Sequence, residues 1–400
     1  MRIIEATKFH YFRRGTSRHY FDLIAALERH GHEVASFSMR SKEMLPSRWE
    51  KYFVSYVGYN ENDSNFWQRV KGVGRLFWSF EARRKMAALI RDFRPEVVHV
   101  HGAYHQLSLA FFPMVKRMGL PLIMTVHDYA MISPDKDAYY PEVGKRYWKF
   151  LLIKKYGFGK RLLLVIKKYW EDWYGFYDYV DRFIVPSRYV ESVLLSARVK
   201  KEKMIVMLHF ISDTENQSET VKDAVLPPQY LFYFGAISKV KGVETLLRLS
   251  AALNMPLLLA GRFESGPDLK KYPQVSYLGM RTKGELNTLI ARATAVVGAT
   301  KSPEPFGLTT LETIALGKPY FALATGALSE IIQSGFNGFL ASDEKELEEV
   351  LRAYIQGTRT YASEEDIRRD AKERFGEEAY IRKFEDLPRF ISGKSLCSDK

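Results

Sequence analysis

Residues 302–312, Ser-Pro-Glu-Pro-Phe-Gly-Leu-Thr-Thr-Leu-Glu, carry the densest set of chemically useful groups in the chain. A β-branched run ends near Ala299, and a helical apolar pattern begins around residues 306–308. The N–H groups of Phe306, Gly307, Leu308 and Thr309 then lack intrahelical acceptors and form a partly positive end that suits an anion such as a diphosphate. Gly307 lets a ligand approach the backbone closely. Glu304 and Glu312 each offer a carboxylate that accepts two hydrogen bonds from vicinal hydroxyls, as on a sugar or a ribose. Taken singly, Glu304 reads as a residue that favours the helix dipole and Glu312 as the partner of a lysine. The whole string favours the ligand reading.

Three further groups lie in β–α turns. Residues 234–242, Phe-Gly-Ala-Ile-Ser-Lys-Val-Lys-Gly, place Lys239 and Lys241 after a strand, where Lys241 suits a phosphate, although solvated lysines are common in such turns. Residues 125–129 put His127 and Asp128 at the end of another strand, where the histidine meets a hydroxyl or serves as a structural hydrogen bonder. Arg13, Arg14, Gly15 and Ser17 follow the first strand, with Gly15 near the same anion and Ser17 otherwise a simple N-cap. His99, His101 and His105 have metal-like spacing, and alternation puts His99 and His101 on one strand face. No Asp, Glu or Cys within residues 97–112 completes a first shell, so no metal is expected there.

These loops must be held by strands and helices. Short β-branched runs at 2–6, 34–39, 97–100, 122–126 and 182–185, and again at 230–234, 257–260, 275–278, 295–297 and 319–323, alternate with helical patterns. That alternation predicts parallel sheets covered by helices on both faces. Helices are expected over 17–30, stopping at Gly31, and over about 377–390. The polar stretch 213–226, closed by Pro227 and Pro228, reads as a linker. The expected organisation is therefore a first domain over 1–212, a linker over 213–229, a second domain over 230–375, and a final segment over 376–400.

A length of 400 residues suits two domains, and an apolar content of 46% with 27% charged residues describes a globular protein. The single cysteine, Cys397, excludes an internal disulfide framework and fits a reducing cytoplasm. No run is apolar enough to span a bilayer, and the early Arg2, Lys8, Arg13 and Arg14 do not read as a secretory signal.

In this combination the residues resemble a family-4 glycosyltransferase, a retaining and metal-independent family of the GT-B fold. The likeness runs through Gly15-Thr-Ser-Arg-His-Tyr-Phe-Asp-Leu23, residues 97–108 from Val-Val-His-Val-His to Gln-Leu-Ser, and Phe183-Ile-Val-Pro-Ser187. It continues in Leu258-Leu-Ala-Gly261, Tyr277-Leu-Gly279, the Glu-x7-Glu string around Pro-Glu-Pro-Phe-Gly-Leu, and Gly326-Ala-Leu-Ser-Glu330. The resemblance implies two Rossmann-like, doubly wound α/β domains facing a central cleft, with the acceptor on the first and a nucleotide sugar on the second. It implies that Glu304 binds donor-sugar hydroxyls, Glu312 the ribose, and Lys241 the diphosphate, helped by Gly15 and the amides of Phe306, Gly307, Leu308 and Thr309. His127 takes the place of a histidine close to the reacting sugar, and the last helix returns to the first domain. No cofactor is implied beyond the nucleotide sugar, of GDP-mannose or UDP-glucose type, and the acceptor is a glycan or a lipid-linked molecule. Two departures stand out. Ala236 occupies the place of an arginine, leaving Lys239 to reach that phosphate, and Arg14-Gly15 with Ser17 replaces a Gly-Gly and a glutamate. The acceptor side is then left to Arg13, Arg14, Ser17 and Asp128.

Nine of the thirteen net positive charges fall between Glu142 and Glu171, on Lys145, Arg146, Lys149, Lys154, Lys155, Lys160, Arg161, Lys167 and Lys168. They alternate with Tyr147, Trp148, Phe150, Tyr156, Phe158, Tyr169 and Trp170, a mixture suited to an anionic membrane surface reached from the cytoplasm. The plainer reading puts residues 162–166 in the core and the lysines in water. No nucleic-acid-binding module is recognisable. Two rival functions remain at this level: a nucleotide-sugar epimerase of the same architecture, and a catalytically silent relative that serves as a partner subunit.

Overall fold

The computed structural model describes residues 1–12, 15–57, 66–212, 218–221 and 226–391. By internal packing the chain divides into two units, one comprising 1–186, 190–207 and 381–391, the other 187–189 and 208–380.

The first unit is built on strands β1 (Arg2–Phe9), β2 (Glu33–Met39), β3 (Val97–Val100), β4 (Leu122–Thr125), β5 (Arg182–Val185) and β6 (Met204–Val206). They form one parallel sheet in the order β2-β1-β3-β4-β5-β6. Its helices are α1 (Gly15–Arg29), α2 (Phe66–Phe77), α3 (Phe80–Phe93), α4 (Phe112–Arg117), α5 (Phe158–Tyr174) and α6 (Arg188–Ser196), whose first two residues pack with the second unit. Strands β3 and β4 are buried at every position, as a parallel sheet covered on both faces requires.

The second unit contains β7 (Leu231–Phe234), β8 (Leu257–Ala260), β9 (Val275–Gly279), β10 (Ala295–Gly298), β11 (Tyr320–Leu323) and β12 (Gly338–Ala341), parallel in the order β12-β11-β10-β7-β8-β9. Helices α7 (Val243–Leu253), α8 (Lys283–Arg292), α9 (Leu308–Ala315), α10 (Glu344–Ile355) and α11 (Glu364–Phe375) cover it. The period of two along the strands sorts the core cleanly. Phe232, Phe234, Leu258, Ala260 and Val296 meet Leu289, Leu311, Ile314 and Phe375 of α8, α9 and α11. Leu231, Tyr233, Leu257, Leu259 and Val297 meet Leu246, Leu247, Leu347 and Leu351 of α7 and α10.

Both sheets gain a sixth strand that the sequence does not announce. β6 is a half-buried three-residue edge, and β12 opens on a glycine and carries few β-formers, so its pairing with β11 creates the strand. The described part of the polar stretch 213–226 is docked on the second unit. The Glu219 N–H donates to the Gly284 carbonyl at 3.1 Å, and the Thr282 hydroxyl donates to the Glu219 carboxylate at 2.7 Å. Helix α12 (Glu377–Ile391) starts with the second unit and from Ile381 packs with the first, where His32 Nε2 lies 2.7 Å from Glu385.

Helix α5 has its polarity reversed. Phe158, Leu162, Ile166, Tyr169 and Trp173, spaced three and four apart, are exposed, whereas Lys167, Lys168 and Glu171 are buried. The two ammonium groups both pair with Glu171, and Lys168 also donates to the Met131 carbonyl at 2.6 Å. Lys167 and Lys168 therefore leave the basic surface patch expected from composition, and Lys155 is paired with Asp135 at 2.6 Å. Residues 162–166 likewise do not all enter the core. No helix among the described residues is long and apolar enough to cross a membrane.

Glu171→Ala strips the carboxylate from two buried ammonium groups and is expected to lower unfolding free energy by about 3–5 kcal/mol. Urea denaturation followed by circular dichroism checks this; an unchanged midpoint would show that the lysines do not depend on Glu171.

Candidate functional site

In the second sheet the strand order reverses between β7 and β10, and in open α/β sheets ligands bind at the carboxyl ends of the strands at such a reversal. The turn 235–242 leaves β7 there, and the loop 299–307 leaves β10. Gly242 has φ +77°, and a Cβ on it would lie 1.8 Å from the Ala299 carbonyl oxygen. Only glycine admits this approach, and the Lys301 N–H donates to the Val240 carbonyl at 3.2 Å beside it. The two loops are thus fastened backbone to backbone. Their charged side chains meet: the Lys241 ammonium donates to the Glu304 carboxylate, with the lysine about one-third exposed.

Glu304 is fixed from a third loop. The Ala327 N–H donates to the Glu304 carbonyl at 2.8 Å, and a Cβ on Gly326 would lie 2.3 Å from that oxygen and 2.4 Å from the Glu304 nitrogen. The Ser187 hydroxyl donates to the next carbonyl, that of Pro305, at 2.6 Å. The Glu304 charge also reaches two tyrosines of the sheet. Burial, with this charge adding, pushes the Tyr320 hydroxyl up to about 12, and burial first, then Tyr320 and Glu304, raise Tyr233. Tyr233 and Tyr320 border the site although no motif marks them.

Helix α9 begins after Gly307, whose φ is +108°. Its first internal bond runs from the Leu311 N–H to the Gly307 carbonyl, so Leu308, Thr309 and Thr310 contribute N–H groups without helical acceptors. Thr309 faces the first turn closely, since a Cβ on Gly235 would lie 3.7 Å from its methyl. Phe306, expected beside the donor, sends its side chain into the core, edge-on to His209 at 4.9 Å between ring centres. Glu312 lies one helical turn on, 3.4 Å from Lys283. Lys283 is placed by the capping box that opens α8, in which Thr282 and Glu285 accept each other's N–H at 3.1 Å. The lysine partner considered for Glu312 exists, and it adds a cation that no motif identified. Ala236 accepts a hydrogen bond from the Tyr233 hydroxyl at 2.8 Å through its carbonyl, and the Lys239 side chain is exposed.

The first sheet reverses between β1 and β3, and the register places Glu5 opposite His99. Glu5, His99 and His101 are each 0% exposed. Glu5 bonds His99 Nδ1 at 3.0 Å and His101 Nε2 at 2.8 Å; His99 Nε2 reaches the Thr125 hydroxyl at 2.8 Å and His101 Nδ1 reaches His127 Nε2 at 3.0 Å. The acid absent from residues 97–112 is thus supplied by another strand, and His105 is not part of the cluster. Their ligand atoms lie within 4.8 Å of one another, yet every ring nitrogen of His99 and His101 is engaged by a protein partner, which favours a hydrogen-bonded chain over a metal cage. Burial pushes His101 down to about 4, with His99 adding, so this ring is neutral near pH 7. Burial pulls Glu5 upward, but the two histidines prevail and hold its carboxyl below the usual range.

His127, half-buried, thus ends a chain of buried groups. Asp128 accepts the Ala130 N–H at 3.1 Å, a local turn. Gly15 is exposed at the start of α1, so Ser17 is the helix's third residue and buried rather than its N-cap. Arg13 and Arg14 lie outside the described residues.

The family model described as Glycosyltransferase Family 4 matches residues 13–215, and that described as Glycosyl transferases group 1 matches 213–374. Comparison with curated protein sequences gives no match. Among solved structures, Anabaena HepE in complex with UDP and glucose is 15% identical with a TM-score of 0.66, over 98% of this chain and 100% of that one. Sucrose-phosphate synthase from Thermosynechococcus elongatus is 17% identical with a TM-score of 0.68, over 99% and 100%. A glycosyltransferase from Rickettsia africae is 14% identical with a TM-score of 0.64, over 98% and 99%. At such identities the likeness speaks to the fold, two Rossmann-like units of the GT-B kind.

Gly326→Ala is expected to displace the Glu304 loop and lower stability by about 1–3 kcal/mol. Gly357→Ala is the control, because Gly357 has a similar φ of +72° with nothing within 4 Å of its Cβ. Equal losses in thermal melts of the two variants would remove the contact with Glu304 as the cause.

Proposed function

Because this chain belongs to the family-4 glycosyltransferases, we propose that it moves a hexose from a nucleotide diphosphate sugar to a glycan or lipid-linked acceptor, retaining the anomeric configuration without a metal ion. The observation that carries the reading is the paired Lys241 and Glu304 on two fastened loops at the strand-order reversal, beside the open N-terminus of α9. A uridine diphosphate donor is the first choice, supported by the UDP-glucose and UDP held by the structurally similar HepE; a GDP-mannose donor is the second.

On donor binding, the diphosphate takes the Lys241 ammonium and the first-turn amides of α9, and the freed Glu304 carboxylate accepts hydrogen bonds from the sugar. Glu312, one turn further along the helix, takes the ribose hydroxyls. The bond from C1 to the diphosphate oxygen then breaks with its electron pair on that oxygen, where Lys241 and the helix end stabilise the charge. The acceptor hydroxyl oxygen bonds to C1 on the same face, and its proton passes to the departing phosphate. The family likeness assigns His127 to a hydroxyl of the sugar being transferred. Ala236 contributes no charge, so the phosphate rests on Lys241 and the exposed Lys239.

The surface around α5 supports a peripheral membrane location on an anionic, cytoplasm-facing leaflet. Leu152 and Trp173 are 72% and 77% exposed, and Trp148, Phe158, Leu162 and Ile166 extend the apolar stripe. Exposed Lys145, Lys154 and Lys160 lie in the same stretch, and each basic residue near an anionic surface adds about 1 kcal/mol.

Glu304→Ala is expected to lower turnover about 10–100-fold, the loss of a charge-assisted hydrogen bond at the reacting sugar, while the dissociation constant for the nucleoside diphosphate changes far less. Calorimetry and initial rates separate the two, and equal losses in both would remove Glu304 from the sugar. Flotation with vesicles should show binding to phosphatidylglycerol but not to phosphatidylcholine at low salt, weakened by Leu152→Ser with Trp173→Ser. Failure to float with either lipid would end the membrane assignment.

A further inference from the structure

We propose that Glu5 and His101 are positioning residues, a buried relay that holds His127 in a single tautomer with its proton on Nε2. The inference rests on the role proposed for His127 at the sugar, but its geometry and its main test stand apart from transferase activity.

Glu5 interrupts the apolar strand β1 at a position that is wholly buried. An unpaired carboxylate there would be strongly destabilising, and burial of a charge is tolerated only when its lone pairs are satisfied. The only polar partners recorded for its side-chain oxygens among the described residues are His99 Nδ1 and His101 Nε2. A carboxylate accepts and does not donate, so both nitrogens must carry hydrogen. His101 is neutral near pH 7, so its other nitrogen, Nδ1, is bare. That bare nitrogen lies 3.0 Å from His127 Nε2 and can only accept. His127 must therefore donate through Nε2, which leaves Nδ1 as its lone-pair nitrogen whenever the ring is neutral. On the other branch His99 donates to Glu5 through Nδ1, and its Nε2 lies 2.8 Å from the Thr125 hydroxyl. One anion thus sets the direction of each bond from His99 to His127.

The surroundings leave this order intact. From α1, the His19 ring centre lies 5.5 Å from that of His127, and Tyr20 lies 5.5 Å from His101. From α12, Phe384 packs on His99 at 5.2 Å. Burial raises the Tyr20 hydroxyl, with Glu5 adding, so it remains neutral. Asp128 is the neighbouring acid in sequence, and its carboxylate is engaged by the Ala130 N–H. Fixing the tautomer offers a transferred sugar a defined acceptor, because a neutral imidazole with mobile protons would present donor and acceptor in turn.

The test is nitrogen-15 NMR of the full chain labelled at histidine, with His127→Gln used to identify the His127 signals. The expected pattern at neutral pH is hydrogen on Nδ1 of His99, on Nε2 of His101 and on Nε2 of His127. The His99 assignment is the less common form of free histidine and so diagnostic of the carboxylate. Glu5→Gln replaces a double acceptor by an amide that must donate to one of the two rings, so one branch reverses. If it is the His101 branch, His101 and His127 change tautomer together and turnover falls about 10-fold or more, as expected for a misplaced hydrogen bond at the sugar. If it is the His99 branch, His127 keeps its form and its rate. Hydrogen on Nδ1 of His127 in the unmodified protein, or His127 and His101 changing independently in Glu5→Gln, would overturn the relay. Should Glu5→Gln not fold, the tautomers of the unmodified protein decide alone. A relay intact by NMR in a protein without transferase activity would leave this inference standing and remove the proposed function.

Discussion

Adjacent parallel strands that are not consecutive in sequence send their chains away on opposite sides, and the space between the departing loops is the constraint from which the rest of this molecule follows. In the second unit β7 and β10 meet in this way. The space would be too wide for one side chain to control if the two loops were independent. Gly242 removes that independence by letting the turn after β7 lie against the Ala299 carbonyl, and Gly326 fastens a third loop to the backbone of Glu304. Lys241 and Glu304 then meet as a consequence of backbone geometry. A partly exposed pair of this kind adds only about 0–1 kcal/mol to stability. Its placement therefore makes more sense as a feature of the site than of the fold.

The first unit meets the same constraint in its interior. At its reversal, between β1 and β3, the polar groups lie on the strands themselves, with Glu5 directly opposite His99. Desolvation of such a carboxylate is severe unless several donors compensate it, and two imidazoles do so here. The interior of α5 repeats the theme with Lys167, Lys168 and Glu171. Placing charge inside forces the helix's Leu, Ile and Trp residues outward. The exposed stripe and the buried ion pairs are thus two sides of one arrangement, because a 17-residue helix has only so many faces to divide between them.

Strands of the two sheets were legible where both faces are apolar, as at residues 257–260 and 295–297, because burial on both sides leaves continuous runs of Leu, Val and Ala. Strands β6 and β12 were not, since short edges form by pairing and leave little trace in residue type. Glu304, Lys241 and Glu312 stood out because their neighbours in sequence form the loop and helix that hold them. Glu5 is the contrary case. Nothing near it in sequence marks it, and its meaning depends on the register of β1 against a strand more than ninety residues away. Lys283 was silent for the same reason, reaching Glu312 from a different helix. The facing of α5 misled for a third reason: lysines read as solvated by default, and only a buried partner such as Glu171 reverses that.

The pairing of Lys241 with Glu304 also says how a donor would enter. In the proposed reaction the diphosphate exchanges places with a carboxylate that already satisfies the ammonium, so one charge-assisted bond replaces another of similar strength. Little affinity can come from that exchange. Net attraction must come from groups without a comparable resident partner, namely the first-turn amides of α9 and the exposed Lys239. The exchange instead supplies selectivity. A free phosphate could take Lys241 but would leave Glu304 without a partner, whereas a diphosphate carrying a sugar brings hydroxyl donors for the displaced carboxylate. Because the pair is partly exposed, water takes up part of that loss, so the discrimination between a nucleotide with its sugar and one without stays at about 0–1 kcal/mol, the worth of such a pair.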